Sequence, residues 1–320
     1  MYSSDQQVLA AACRWADAGH RFALVTVART WGSAPRPPGA SLVVRDDGLV
    51  EGSVSGGCIE DDLIERMRAG AFGGDAPFSV VYGVTKDEAT RFGLPCGGTL
   101  ELVVEPAPDL VQLRELASRL AARRLAARHV NLHTGKVSVL EAWRDDALQW
   151  DGSCLTTVHG PQWRLLIIGA GEVSRYLAQM ALALDYEIII CDPREEYGRN
   201  WELPGTRLLT SMPDDAVMEL HLDARSAVVA LTHDPKLDDL ALLDALKSRA
   251  FYVGALGSGV SSQRRRERLM QHFDLSQTEV DGLHAPVGLP IGSKTPPEIA
   301  VSILAEMTAV RHGARIMQST

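Results

Sequence analysis

"RLLIIGAGEVSRYLAQMALALDYEIIICDPR" (164–194) decides the fold. It reads as an apolar strand, a glycine turn, a helix and a second apolar strand. Strands that are apolar without interruption are buried on both faces, which is the habit of a parallel sheet covered by helices. Gly169 lets the chain reverse after Leu165–Ile168, and Gly171 lets a pyrophosphate approach the backbone. The helix that follows offers unpaired N–H groups and the positive end of its dipole. The third position of the G-x-G-x-x-G pattern is Ser174 rather than glycine, a mild departure because serine is small enough to keep helix and strand close. Asp192 ends the second strand, 23 residues after Gly169, where an acid holds ribose hydroxyls. Arg194, two residues on, is placed to take a phosphate instead. The alternative is a Rossmann domain whose crevice is empty or put to another use.

Working outward, further apolar strands ("TRLLT", "AVVALTH", "FYVGALG") alternate with helical stretches such as Leu237 to Lys247. The fold class is therefore α/β, with a Rossmann-type doubly wound parallel sheet over residues 164–320. Thr232, His233 and Asp234 follow a strand at the edge where such sheets bind ligands, so His233 is a candidate ligand or proton-transfer residue, with helix entry as its other role. "GALGSG" (254–259) is a second glycine-rich turn. In the run Arg264 to Arg266 at most one or two side chains can face a phosphate, and the rest are expected on a solvated face. "GSKT" (292–295) is not a phosphate loop: the spacing is wrong and no strand leads into it. The last helix is marked by a capping box, Thr295 with Glu298, by Pro296 and Pro297 at its start, and by the apolar face Ile299, Ile303 and Met307.

Upstream, residues 1–150 read as a mixed α+β domain, with 151–163 as a linker. A first helix runs through Val8, Leu9, Ala12, Cys13 and Ala16, with Ser4 and Gln7 as a candidate capping box, Gly19 as its stop and Cys13 as core packing. "RFALVTVART" is a strand, and "SLVVRDDGLVEGSVS" a hairpin turning at Asp46-Asp47-Gly48. "FSVVYGV" and "TLELVVEP" are two more strands. Residues 110–128 have helical spacing, with arginines suited to a helix C-terminus and solvent. "KVSVLEAW" and "DALQW" read as a last hairpin.

Two turns in this half pair glycines with a thiol. Cys58 follows Gly56 and Gly57 at the start of a helix, where free N–H groups favour a thiolate. Glu60, Asp61 and Asp62 oppose a second anion there. The glycines let a bulky group reach the sulfur; the other reading is a small buried residue at a tight turn. Cys96, before two glycines, has the same two readings, and together the thiols suit a soft metal or a carried sulfur atom. Arg36, on a Pro/Gly-rich loop, is a cation for a phosphate or carboxylate, or a surface residue.

The 320 residues carry 46% apolar and 23% charged side chains, a globular composition. A net charge of −9 argues against a nucleic-acid or anionic-membrane partner. Five cysteines without C-x-x-C or zinc spacing, and no basic, apolar leader, point to free thiols in the reducing cytoplasm.

The ordered set "TWGSAPRPPGASLVV", "GSVSGGCIEDDL", "CGGTLELVVEP", "IIGAGEVS", "CDPREEY", "LTHDPKLD", "YVGALGS" and "LPIGSKTPPEIAVSILAE" resembles the xanthine dehydrogenase accessory family, the XdhC/CoxI type. The resemblance covers most of the chain apart from about 107–160. It implies a cytoplasmic chaperone that binds the molybdenum cofactor, as molybdopterin or its cytosine dinucleotide, and protects it during sulfuration by a cysteine desulfurase. It further implies delivery to the large subunit of an apo molybdenum hydroxylase, contact with an enzyme of cofactor biosynthesis, and a homodimer. On this reading Cys58 contacts molybdenum, with Cys96 second, and Gly169, Gly171 and Asp192 hold a phosphate or nucleotide end in one composite site. The rivals are an NAD(P)-dependent oxidoreductase, for which no Tyr-Lys or Cys-His arrangement is visible, a persulfide carrier at Cys58, and an interaction protein with a vestigial nucleotide site.

Overall fold

The computed structural model describes residues 4–32, 36–72, 74–83, 99–143 and 148–314. The chain divides into two compact units between Pro161 and Gln162.

The N-terminal unit holds two antiparallel sheets. The first has the order β3-β2-β1-β5-β4, from β1 (Phe22–Trp31), β2 (Ser41–Arg45), β3 (Val50–Gly52), β4 (Phe78–Tyr82) and β5 (Thr99–Glu105). Its central strand β1 is buried on both faces, as the period of two requires. Ala23, Val25 and Val27 pack with Ile59 and Leu63 of α2 (Cys58–Arg68). Phe22 and Leu24 pack under α1 (Ser4–Asp17) and α3 (Leu110–Ala121). The hairpin expected at Asp46–Gly48 joins β2 to β3, with Gly48 at φ 91°. Val8, Leu9 and Ala12 of the α1 stripe are buried as expected, Cys13 and Ala16 are only partly buried, and Ala11 and Trp15 are inside.

The second sheet, of order β7-β6-β9-β8, departs from the sequence reading. Helix α3 stops at Ala121, and Arg123 turns the chain with φ 56° into β6 (Ala126–Asn131). Arg128, expected in solvent, is buried in β6 against Glu105 at 2.7 and 2.8 Å. The expected last hairpin does not form: β7 (Val137–Glu141) pairs with β6, and β8 (Gln149–Trp150) pairs with β9. The stretch read as a linker, 151–163, contains β9 (Cys154–His159), whose residues 154–159 all pair with β6. Its Leu155 sits in a small core with Ala28, Val103 and Val130.

The C-terminal unit is a wholly parallel six-stranded sheet of order β12-β11-β10-β13-β14-β15. Its strands are β10 (Arg164–Ile168), β11 (Glu187–Cys191), β12 (Thr206–Leu209), β13 (Ser226–Ala230), β14 (Tyr252–Ala255) and β15 (Leu283–His284). Renumbered from β10, this is 3-2-1-4-5-6, the Rossmann order, which reverses between β10 and β13. Alternate residues of β10 feed two cores, Leu166 and Ile168 into one and Leu165 and Ile167 into the other. That double burial is why the strand reads as an unbroken apolar run. The helices are α4 (Glu172–Ala183), α5 (Glu195–Gly198), α6 (Pro213–Leu220), α7 (Pro235–Lys247), α8 (Gly259–Phe273), α9 (Gln277–Asp281) and α10 (Pro296–Arg311). The Thr295/Glu298 capping box opens α10, and Ile303 and Met307 are fully buried.

Two of the three consecutive arginines turn inward rather than to solvent. Arg265 is 6% exposed and bonds Asp238 at 3.0 Å, Asp239 at 3.1 Å and the Leu256 carbonyl. Arg266 donates to the carbonyls of Val280, Leu283 and Ala285, and only Arg264 is exposed. Paired carboxylates on α7 and open carbonyls around β15 supply partners that a charge run alone does not reveal. No described helix is long and apolar enough to cross a membrane.

Candidate functional site

The glycine turn lies where the Rossmann strand order reverses. Gly169 has φ 105°, and a Cβ there would stand 2.9 Å from Thr232 Cγ2 at the end of β13. The turn therefore needs glycine for its dihedral and for the close approach of two strand ends. Gly171 differs: it is the N-cap of α4 with φ −86°, no side chain caps the helix, and a Cβ would meet open space. Its backbone faces room for a ligand, and the first N–H groups of α4 have no intrahelical acceptor. Glu172, exposed at the first helical position, weakens the attraction for an anion there. Ser174 is fully buried, in keeping with its packing role, and its hydroxyl has no hydrogen-bond partner.

Asp192 is where the sequence placed it, at the end of β11, but it is fully buried and already committed. Its Oδ2 accepts from the Ala170 N–H at 2.8 Å and from Arg194 Nη2 at 2.8 Å. Its Oδ1 accepts from the Arg194 backbone N–H at 3.0 Å and from Nε at 2.9 Å. Burial raises its pKa, but the Arg194 and Ala170 hydrogen bonds outweigh this and hold the carboxyl below its ordinary value. Asp192 thus ties the glycine turn to β11, and ribose hydroxyls would have to displace Arg194 to reach it. Arg194 lies over the Tyr197 ring, 4.0 Å from its centroid, and is one-quarter exposed.

His233 is exposed, with φ 62°, in the loop between β13 and α7. Its neighbours fix that loop: Thr232 Oγ1 donates to Asp238 at 2.6 Å, and Asp234 caps α7. Burial raises the Asp238 pKa against the opposing hydrogen bond from Thr232 and the charge of Arg265. The structure thus brings Gly169, Gly171, Ser174, Asp192 and Arg194 to one turn, with His233 on the loop after the adjacent strand.

In the N-terminal unit, Gly56 (φ 84°) and Gly57 (φ 151°) form the turn before α2, and a Cβ on Gly57 would meet nothing within 4 Å. Cys58 is the first residue of α2; its side chain lies outside the described residues, as does all of Cys96. The turn is held by Glu60, a role that the sequence does not reveal. Its carboxylate accepts from the backbone N–H groups of Val54, Ser55, Gly56 and Gly57 at 2.8–3.1 Å. The hydroxyls of Ser53 and Ser55 donate to it as well. Burial works to raise its pKa, yet the Ser55 and Ser53 hydrogen bonds lower it to about 2. Arg36 joins the same turn, donating to the Ser53 carbonyl at 3.4 Å, and lines a polar pocket of about 390 Å³ with His159 and Thr157. So Arg36, Gly56 and Gly57 belong to one corner of this unit. Among the described residues no three His, Cys, Asp or Glu side chains cluster to hold a metal ion.

A group that the sequence did not reveal is Tyr252, His284 and Glu306, from β14, β15 and α10. Tyr252 donates to Glu306 at 2.5 Å and its ring stacks on His284 with centroids 4.4 Å apart. His284 Nδ1 lies 3.1 Å from the same carboxylate. The three come from separate elements, and no spacing signals that they meet.

Two family models match the chain: the XdhC and CoxI family over residues 15–82, and the XdhC Rossmann domain over 165–307. A probable xanthine dehydrogenase subunit of Bacillus subtilis is 25% identical, over 90% of this chain and 92% of its own. The molybdenum cofactor insertion chaperone PaoD of Escherichia coli is 28% identical, over 92% of this chain and 84% of its own. A crystal structure described as a xanthine dehydrogenase from Bacillus halodurans, 24% identical, superimposes with a TM-score of 0.76 over 100% of this chain and 98% of that one. Both units thus carry the family's domains in the family's order, and the chain belongs to the XdhC and CoxI family.

Proposed function

We propose that the chain is a molybdenum cofactor chaperone that binds the cofactor and inserts it into a molybdenum hydroxylase. The observation that carries this reading is the relative named a molybdenum cofactor insertion chaperone, aligned over 92% of this chain. The geometry supports it. The open backbone at Gly171 and the uncapped start of α4 suit a phosphate or a pyrophosphate. Arg194 is the cation beside them, and a phosphate that draws it away frees Asp192 for a ribose, as a cytosine dinucleotide form requires. The Gly-Gly-Cys turn presents Cys58 at a helix start, with open space on the glycine side, as a thiol contact for molybdenum. Cys96 is its second thiol. A cysteine desulfurase supplies the sulfido ligand while the cofactor is held, and the apo-hydroxylase large subunit receives it.

The test is reconstitution. Protein loaded with cofactor is incubated with a cofactor-free molybdenum hydroxylase and a cysteine desulfurase. Hydroxylase activity above that given by free cofactor is expected. Activation no better than free cofactor at equal concentration would contradict insertion. Substrate-dependent reduction of NAD or NADP by the chain alone would favour the oxidoreductase instead.

A further inference from the structure

An open cleft of about 1070 Å³ lies at the C-terminal ends of β14 and β15, on the sheet edge that also bears the glycine turn. Its apolar wall comes from Leu256, Val287, Leu289 and Ile299, and polar groups make up much of the rest. The loop after β15 is seated on α10, because Gly288 has φ 96° and a Cβ there would collide with Ser302. Gly292 on the same loop opens to empty space. The segment "LPIGSKT", which carries no phosphate-loop spacing, is thus part of a cleft wall.

The polar groups of the cleft are unusual in kind. Arg266 is committed to three backbone carbonyls. The other titratable lining groups are Asp281, Glu306 and His284, with both Glu306 oxygens already taken, and the exposed Lys294 follows Ser293 on the cleft loop. His284 is fixed on two sides. Its ring stacks on Tyr252 at 25° between planes, and Nδ1 meets Glu306 Oε1 at 3.1 Å. Glu306 Oε2 takes the Tyr252 hydroxyl and, at 2.8 Å, the Gly288 N–H. An ionised carboxylate only accepts, so Nδ1 carries the proton, and in the neutral ring Nε2 is an acceptor. The side chain is 29% exposed and lines the cleft.

The geometry points to this cleft as a second binding site, for an uncharged planar heterocycle bearing N–H donors, with His284 Nε2 as its acceptor. Apolar walls with a few fixed polar groups are the general form of such sites. The aminopyrimidinone ring of a pterin has this chemistry, with an amino group and a ring N–H beside a carbonyl. Naming the pterin end of the cargo as the ligand rests on the chaperone reading above; the class of ligand rests on the cleft alone.

The test uses the full-length protein and free pterin. Binding is read by quenching of pterin fluorescence, and contact by mass spectrometry of His284 after acylation with diethyl pyrocarbonate. Pterin is expected to bind and to shield His284 in the wild type. His284→Ala is expected to weaken binding by about tenfold, the loss of one well-placed hydrogen bond. Arg264→Ala, on the exposed face of α8, is expected to change nothing. Absent binding, or acylation of His284 undiminished by saturating pterin, would overturn the proposal. That readout needs no variant to fold. Shielding by nicotinamide mononucleotide and not by pterin would overturn the ligand class. Pterin shielding without retention of whole cofactor keeps the cleft and sinks the chaperone reading; cofactor retention with His284 unshielded by pterin does the reverse.

Discussion

One carboxylate closes the glycine turn that leads into α2 at Cys58. Glu60 accepts four backbone N–H groups and two hydroxyls, and is 7% exposed. Glu60→Gln puts an amide N–H₂ against those donors, and a loss of about 2–3 kcal/mol is expected from denaturant unfolding at pH 7. The pH dependence has a definite sign. The folded carboxyl titrates at about 2, below the ordinary value of 4.5, so the unfolded chain takes up protons first. Its contribution is complete above about pH 5 and is lost as pH falls from about 4.5 toward 2. Melting temperatures across that window should fall less steeply in Glu60→Gln than in the wild type. The two glycines of the Rossmann turn differ in the same residue-level way. Gly169→Ala meets Thr232 at a positive φ, and a loss of about 2–4 kcal/mol is expected. Gly171→Ala meets nothing and should keep its melting temperature, while covering the N–H groups that a phosphate needs. Cofactor retention should fall about tenfold in Gly171→Ala.

Among elements, α7 and α8 are joined by buried Asp238, Asp239 and Arg265, with the part-exposed Arg268 on Asp239. Arg265→Leu strands Asp238, which is fully buried, and should cost about 3–5 kcal/mol in chemical denaturation. Elements with a strong period or unbroken apolar runs were legible in the sequence. Strands β10 and β11, the turn between β10 and α4, and the capped α10 stand where they were expected. Those missed owe their form to distant partners. Strand β6 carries Arg128, whose burial depends on Glu105 in another sheet, so locally it reads as helix and solvent. Strand β9 is rich in threonine and starts after a Gly-Ser turn, so it reads as linker until its pairing with β6 is seen. The site divides likewise. The Gly169 turn and the position of Asp192 follow from spacing. That Arg194 saturates Asp192, and that Glu306 orients His284, is decided by side-chain geometry across elements.

At the scale of the molecule, the C-terminal unit has two cores of its own on either side of one sheet. Residues 162–314, expressed alone, should therefore unfold cooperatively, with urea transitions that coincide by fluorescence and circular dichroism; a broad, probe-dependent transition would count against an autonomous unit. The central claim, that the chain carries the molybdenum cofactor, has a direct measurement. Purified full-length protein is mixed with cofactor under anaerobic conditions, free ligand is removed, and bound molybdenum and pterin are assayed, with Cys58→Ala alongside. Stoichiometric retention of both by the wild type, and loss of molybdenum in the variant, are expected. Retention by neither protein would contradict the claim, and equal retention by both would remove Cys58 from the site.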